Sequence, residues 1–414
     1  MSEIKPFRGW RPRPELVRQV ATPPYDVMNT AEAREMAAGN PISFLHVSRS
    51  EIDLPADADP YSPQVYELAA ANFRKLIDDA VVQKDPTASF YVYEQAMGQH
   101  KQRGLVAGFS VDEYDQGRIK KHELTRKDKE DDRTRHVDTL NANSGPVFLT
   151  YRHRAEIDRL MDRICRAAAP TYDFVANDGI GHVLWIVSDH ESVQALRDAF
   201  AQVDALYIAD GHHRAASAWR VRNLRREKNP RHNGSEAYNH FLAVAFPDDQ
   251  LQILGYYRAV KDLAGMDPPA FLARLRERFE VTAGVPAQPE RLHEIKMLLD
   301  GTWHALTPRP GTFSDKDPVQ RLDVSILQEN LLAPVLGIAN PRTDKRIDFI
   351  GGIRGTAELE RRCRTDMKVA FALFPTSVSQ LIAIADSGQI MPPKSTWFEP
   401  KLRDALVVRG LEDL

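Results

Sequence analysis

"ALYIADGHHRAASAWR", residues 205–220, decides how this chain is read. An apolar run with strand character stops at Asp210-Gly211, and His212, His213 and Arg214 open an alanine-rich helix. The first turn of a helix leaves N–H groups unpaired and carries the positive end of the dipole, which suits an anion. Gly211 lets the backbone approach a ligand closely, and Arg214 can fork onto phosphate oxygens. The competing reading is a capped helix, with Asp210 as N-cap and both histidines in solvent. Three consecutive donor side chains favour the anion site.

Asp210 qualifies that site. A carboxylate beside a phosphate repels it unless a cation lies between, which points to Mg²⁺ held by Asp210 together with nucleotide oxygens. Simple capping would need no metal. Successive helical residues point about 100° apart, so His212 and His213 do not readily share one ion. No HExxH pattern occurs, and a metalloenzyme would have to be built through His122 or His136.

At 414 residues the chain exceeds what one core usually serves. The expected division is an N-terminal α/β region over 1–95, a core over 96–260 and a C-terminal α/β region over 261–414, with the tail loop 391–402 returning to the site. A composition of 43% hydrophobic and 27% charged residues is that of an ordinary globular protein. A net charge of −3 and a pI near 6.5 argue against a general nucleic-acid binder. Cys165 and Cys363 lack metal-ligand spacing, so a reducing cytosol is the expected home. The start has no apolar signal region, and "VAFALFPTSVSQLIAIA" (369–385) is interrupted at Pro375. The expectation is a soluble cytoplasmic protein with no nucleic-acid or membrane partner; the sequence leaves its oligomeric state open.

Helices are expected over 30–40, with Thr30 as N-cap, and over 62–81. Hairpins are expected over 89–111, around Asn177-Asp178-Gly179, and over 240–260 with its turn at Asp248-Asp249. The segment 120–145 is nearly free of large apolar residues. Disorder is its bland reading, yet a long polar stretch inside packed chain is usually functional. It holds His122, Glu123 as a candidate general base, and Asn143-Ser144-Gly145 as a candidate phosphate cradle. Glu123 in a charged run also reads as a solvated surface residue. Lys394, Ser395 and Thr396 in "PPKST" put donors on a stiff loop, whereas "GGIRG" (351–355) matches neither phosphate-binding fingerprint and reads as a turn.

These motifs together resemble a widespread bacterial and archaeal family of uncharacterised conserved proteins. They are "PPYDV" (23–27), "NPISFLH" (40–46), "HELT" (122–125), "SGPVFLTY" (144–151), "DGHHR" (210–214) and "MPPKST" (391–396). "KHE", "NSG", "ADGHHR", "PKST" and the terminal "LEDL" (411–414) also stand in the order found in the archaeal kinases of free L-serine, of the ParB/sulfiredoxin-like superfamily. That resemblance implies an α/β fold with a ParB-like nucleotide-binding core, and a kinase that transfers phosphate from ATP or ADP to a small hydroxyl acceptor. Glu123 would be the base on the acceptor, and Asp210 would assist the base or hold Mg²⁺. Ser144, Gly145, Gly211, His212, His213, Arg214 and Lys394 would hold nucleotide phosphates, and His122, Ser395 and Thr396 the acceptor. Residues 1–95 have no counterpart there. Asp404-Ala405 stands where a small, glycine-containing pair is expected, and a carboxylate there alters acceptor choice. A ParB-like nucleotide-binding switch acting through a partner is the alternative. Sulfiredoxin-type repair needs a catalytic cysteine that no site motif contains.

Overall fold

The computed structural model describes residues 2–412, so Asp413 and Leu414 of the "LEDL" tail lie outside the described residues. The chain divides into two compact units, Met1–Leu251 with Pro400–Leu414, and Gln252–Glu399. Both are mixed α/β.

In the first unit the strands are β1 (Ile4–Lys5), β2 (Phe90–Met97), β3 (His100–Ser110), β4 (Ile119–Lys120), β5 (Val147–Tyr151), β6 (Tyr172–Val175), β7 (Gly181–Val187), β8 (Leu206–Asp210) and β9 (His240–Pro247). Its principal helices are α1 (Pro63–Asp78), α2 (Lys127–Leu140), α3 (Ala155–Ala167), α4 (His190–Ala201) and α5 (His212–Lys228). One mixed sheet runs β4-β8-β5-β9-β3-β2-β7-β6, with β1 on the free part of β3. Pairing is parallel for β4 with β8 and for β5 with β9, and antiparallel elsewhere.

Alternation builds the core. Phe90 and Val92, Leu105 and Ala107, Val147 and Leu149, and Phe241, Ala243 and Ala245 share one cluster with Ile157 of α3, Phe200 of α4 and Ala215 of α5. A second, smaller cluster joins Trp10, Phe44 and Phe73 to Leu140 of α2 and to Ala405 and Val408 of the returning C-terminal segment. That cluster holds the N-terminal region, α2 and the tail together.

The second unit carries β10 (Tyr256–Val260), β11 (Phe279–Ala283), β12 (Ile295–Leu299), β13 (Thr302–Pro308), β14 (Ile347–Gly351) and β15 (Val369–Ala372). They form an antiparallel sheet in the order β11-β13-β12-β15-β10-β14. Phe271, Phe279 and Met297 belong to one of its apolar clusters, and Leu298, Leu359 and Ala370 to another. The stretch interrupted at Pro375 becomes β15 and the helix Val378–Ser387, capped by Ser377, and no helix among the described residues is long and apolar enough to cross a membrane.

The hairpins at 89–111 and 172–187 form as expected. The one expected over 240–260 does not. β9 lies between β3 and β5, while Tyr256–Val260 pairs with β14 and β15 in the other sheet. Each strand is buried along its whole length, so its partners are chosen by the core rather than by the Asp248-Asp249 turn. The expected cap at Thr30 is also displaced by one residue. Asn29 accepts from Glu32 N–H at 2.9 Å and Glu32 accepts in return from Asn29 N–H, closing a capping box.

Leu149, in the middle of β5 and fully buried, should cost about 2–5 kcal/mol of stability when changed to Ala. Asn29→Ala should cost only about 1 kcal/mol, as the loss of one exposed cap. Urea unfolding of the two variants checks the contrast.

Candidate active site

The strand-to-helix junction forms in one residue. β8 and β5 shift register between Ile208 and Asp210, a bulge that re-aims the strand just before it ends. Gly211 then takes φ +90°, a conformation that L side chains rarely adopt, and α5 begins at His212. Its N-cap, Gly211, has no side chain with which to cap it. Asp210 instead turns its Oδ1 to the Gly211 N–H at 2.8 Å and its Oδ2 to Lys401 Nζ at 3.0 Å. Burial alone would raise the Asp210 pKa, but the Lys401 and Arg214 charges outweigh it and hold the carboxyl well below its ordinary range.

His122 and His212 meet at this junction although ninety positions separate them. Their rings stand edge to face with centroids 4.5 Å apart. His122 hydrogen-bonds the Ile208 backbone, while its Nδ1 is buried without a partner, as is Nε2 of His212. Burial lowers the His122 pKa to about 4 and drives His212 down as well, so both rings are neutral near pH 7. Glu123, half-buried, brings a carboxylate oxygen into the same group, where one ligand atom from each residue lies within 4.8 Å of the others. His213 faces another way, its Nε2 accepting from the Arg126 N–H at 3.1 Å.

Arg214 runs into the protein. It donates to Pro146 O at 2.5 Å and to both oxygens of Asp26 at 3.3 Å. Asp26 belongs to the "PPYDV" loop, and its neighbour Tyr25 is stacked under Arg133 of α2 at 4.0 Å. Ser144 and Gly145 line a small cavity beside Arg214, Arg133 and Asp404. A Cβ at Gly145 would come within 2.6 Å of Asp404 Oδ1, so glycine is what lets this carboxylate lie against the "NSG" turn. Asp404 is 2% exposed, and burial pushes its pKa up to about 7, against the opposing pull of Arg214.

The junction thus brings together His122, Glu123, Asp210, Gly211 and His212, with Ser144, Gly145 and Arg214 beside Asp404. Lys394, Ser395 and Thr396 belong to the second unit. There Lys394 has φ +58° and sits 5.6 Å from the Tyr256 ring, and Ser395 donates to Pro392 O at 2.7 Å. Sequence reasoning did not assign Lys401, Asp26 or Arg133 to the site. Asp26 lies in a motif already singled out, and Lys401 in a tail noted as basic and too polar for core. Nothing in its charged run distinguishes Arg133.

Residues 4–325 match a family described as a protein of unknown function, DUF1015, and the chain belongs to that family. No curated protein matches it. Solved structures similar to it include a free serine kinase mutant in complex with AMP, 14% identical, covering 73% of this chain and 92% of that one with a TM-score of 0.37. A conserved hypothetical protein from Pyrococcus furiosus gives 14%, 74%, 95% and 0.37 in the same order. SbnI with a C-terminal truncation, from Staphylococcus aureus, gives 13%, 73%, 87% and 0.37. At such scores the likeness carries no weight for the chemistry of this chain.

The raised Asp404 pKa fixes a pH dependence. The folded state keeps a proton that the unfolded chain gives up near pH 4, so stability declines as pH rises from about 4 to about 7 and then levels off. Asp404→Asn removes that loss. Its gain over the wild type should grow from near zero at pH 4 to at most about 4 kcal/mol at pH 8, read by urea unfolding across that range.

Proposed function

We propose that this DUF1015 protein is a nucleotide-dependent phosphotransferase with a ParB/sulfiredoxin-like core, and that its acceptor is a small hydroxyl compound, free L-serine. The single observation that carries the reading is the α5 N-terminus. It is a long helix with no side-chain cap, opened by an obligatory glycine and met by a half-buried carboxylate, Glu123. Uncapped N–H groups offer fixed donors to phosphate oxygens, and phosphoryl transfer asks a protein mainly for positioning and charge compensation. The resemblance of "KHE", "NSG" and "ADGHHR" to the kinases of free L-serine supplies the acceptor and the reaction.

In this reading the His212–His213 backbone holds the transferring phosphate beside the Gly211 N–H that Asp210 occupies, and Ser144-Gly145 holds a second one. Glu123 takes the proton from the acceptor hydroxyl as the phosphorus–oxygen bond forms, and the nucleotide leaves with the electrons of the bond that breaks. Lys401, already on Asp210, adds positive charge at the same place. Arg214 acts by fixing the junction: its bonds to Pro146 and Asp26 hold α5 against the "NSG" turn and the "PPYDV" loop. Each Asp210 oxygen carries one hydrogen bond and keeps a lone pair, so this carboxylate fits Mg²⁺ as a single protein ligand. When bound, Mg²⁺ neutralises charge on the phosphate oxygens.

Phosphorus NMR tests the reading on the full chain with Mg²⁺ and free L-serine, with ATP and ADP in separate samples. An O-phosphoserine resonance should grow with one of them, and Glu123→Gln should slow it by about 100-fold or more, the range of a lost general base. Phosphoserine with neither nucleotide, from folded protein, overturns the serine assignment.

A further inference from the structure

The reading above leaves two buried nitrogens unexplained. His122 Nδ1 and His212 Nε2 are removed from solvent and bonded to nothing, in rings only 2% and 6% exposed. A buried polar atom left without a partner costs about 1–3 kcal/mol, and native proteins rarely bear that cost twice at one spot. An apolar residue at either position would fill the space without the penalty.

We propose that His122, Glu123 and His212 form a binding site for one borderline-soft divalent transition ion of the zinc type. One ligand atom from each of the three residues lies within 4.8 Å of the others, and the unpartnered Nδ1 of His122 and Nε2 of His212 are the nitrogens left to serve, with a carboxylate oxygen of Glu123. Around a tetrahedral zinc with bonds of about 2.1 Å, such atoms stand about 3.4 Å apart, so side-chain adjustments of an ångström or less close the site. Two imidazole nitrogens and one carboxylate suit zinc, and Mg²⁺ and Ca²⁺, which take oxygen ligands, poorly.

The second layer of the site is also in place. The His122 ring hydrogen-bonds the Ile208 backbone, which leaves Nδ1 unpartnered as the nitrogen free to take an ion. Three protein ligands leave at least one coordination position for water or an anion. Spacing does not announce this ligand set, because His122 and Glu123 are adjacent in sequence and His212 comes from another strand end.

The inference does not depend on phosphoryl transfer, although the two readings compete for Glu123. A zinc-type ion on the carboxylate withdraws the proposed base, so such an ion would inhibit transfer rather than assist it. The test therefore reads binding alone, on tag-free, metal-stripped full-length protein without nucleotide. Co²⁺ is titrated and followed by its visible d–d absorption, and Zn²⁺ by calorimetry. The expected result is one ion per chain with the strong absorption of low-coordinate cobalt. His122→Ala and His212→Ala should each weaken binding roughly 100-fold, while the surface variant His153→Gln should leave it unchanged. Because both histidines are buried, Glu123→Gln carries the same test at a half-buried position, with an expected loss of about tenfold or more. No stoichiometric binding, or binding indifferent to all three substitutions, overturns the proposal. Phosphoserine formation without such binding would leave only the kinase reading, and binding without phosphoserine only the metal site.

Discussion

Everything at the candidate site depends on the backbone conformation of Gly211. At φ +90° the chain turns from β8 into α5 within one residue, and a side chain at this position would be strained whatever space it had. The turn sets the Asp210 carboxylate back on the Gly211 N–H instead of over the helix end. That is why α5 starts on a residue with no side chain to cap it, with the Gly211 N–H already held by Asp210. Removing the turn would remove the donors, the Asp210–Lys401 ion pair and the approach of His212 to His122 together.

Around the junction lies a set of partly buried charges that ties distant segments together. Arg214 reaches Asp26 in the N-terminal loop, Asp210 reaches Lys401 in the C-terminal segment, and Arg133 of α2 covers Tyr25. In each ion pair the cation is the more buried partner and the carboxylate is partly open to solvent, so solvent screens much of the pair energy. They act here as fasteners with a defined register. The N-terminal region supplies Asp26 and Tyr25 to the network. The "PPYDV" loop thus has a physical role that its sequence alone did not disclose.

The junction itself was legible because strand, glycine and helix are contiguous, and local chemistry suffices to read them. The two short hairpins were legible for the same reason. Residues 127–140 were not, since a run this polar has no apolar stripe to announce α2. The helix buries Asp132, Thr134 and His136 instead, and pairs two of them: Asp132 accepts from Tyr66 at 3.0 Å and His136 bonds Val47 O at 3.0 Å. Partners so far away in sequence leave no periodic trace. The His122–His212 contact is hidden in the same way, because the parallel pairing of β4 with β8 creates it across ninety residues. Strand 240–247 was misassigned because a strand buried on both faces carries no alternation to show which neighbour it takes.

The central claim is that the uncapped first turn of α5 receives a phosphate. A crystal structure of the Glu123→Gln protein with nucleotide and L-serine tests it most directly. The account predicts phosphate oxygens within hydrogen-bond distance of the N–H groups at His212 and His213, with the serine hydroxyl facing residue 123. A nucleotide bound elsewhere, with that helix end left to water, would contradict it.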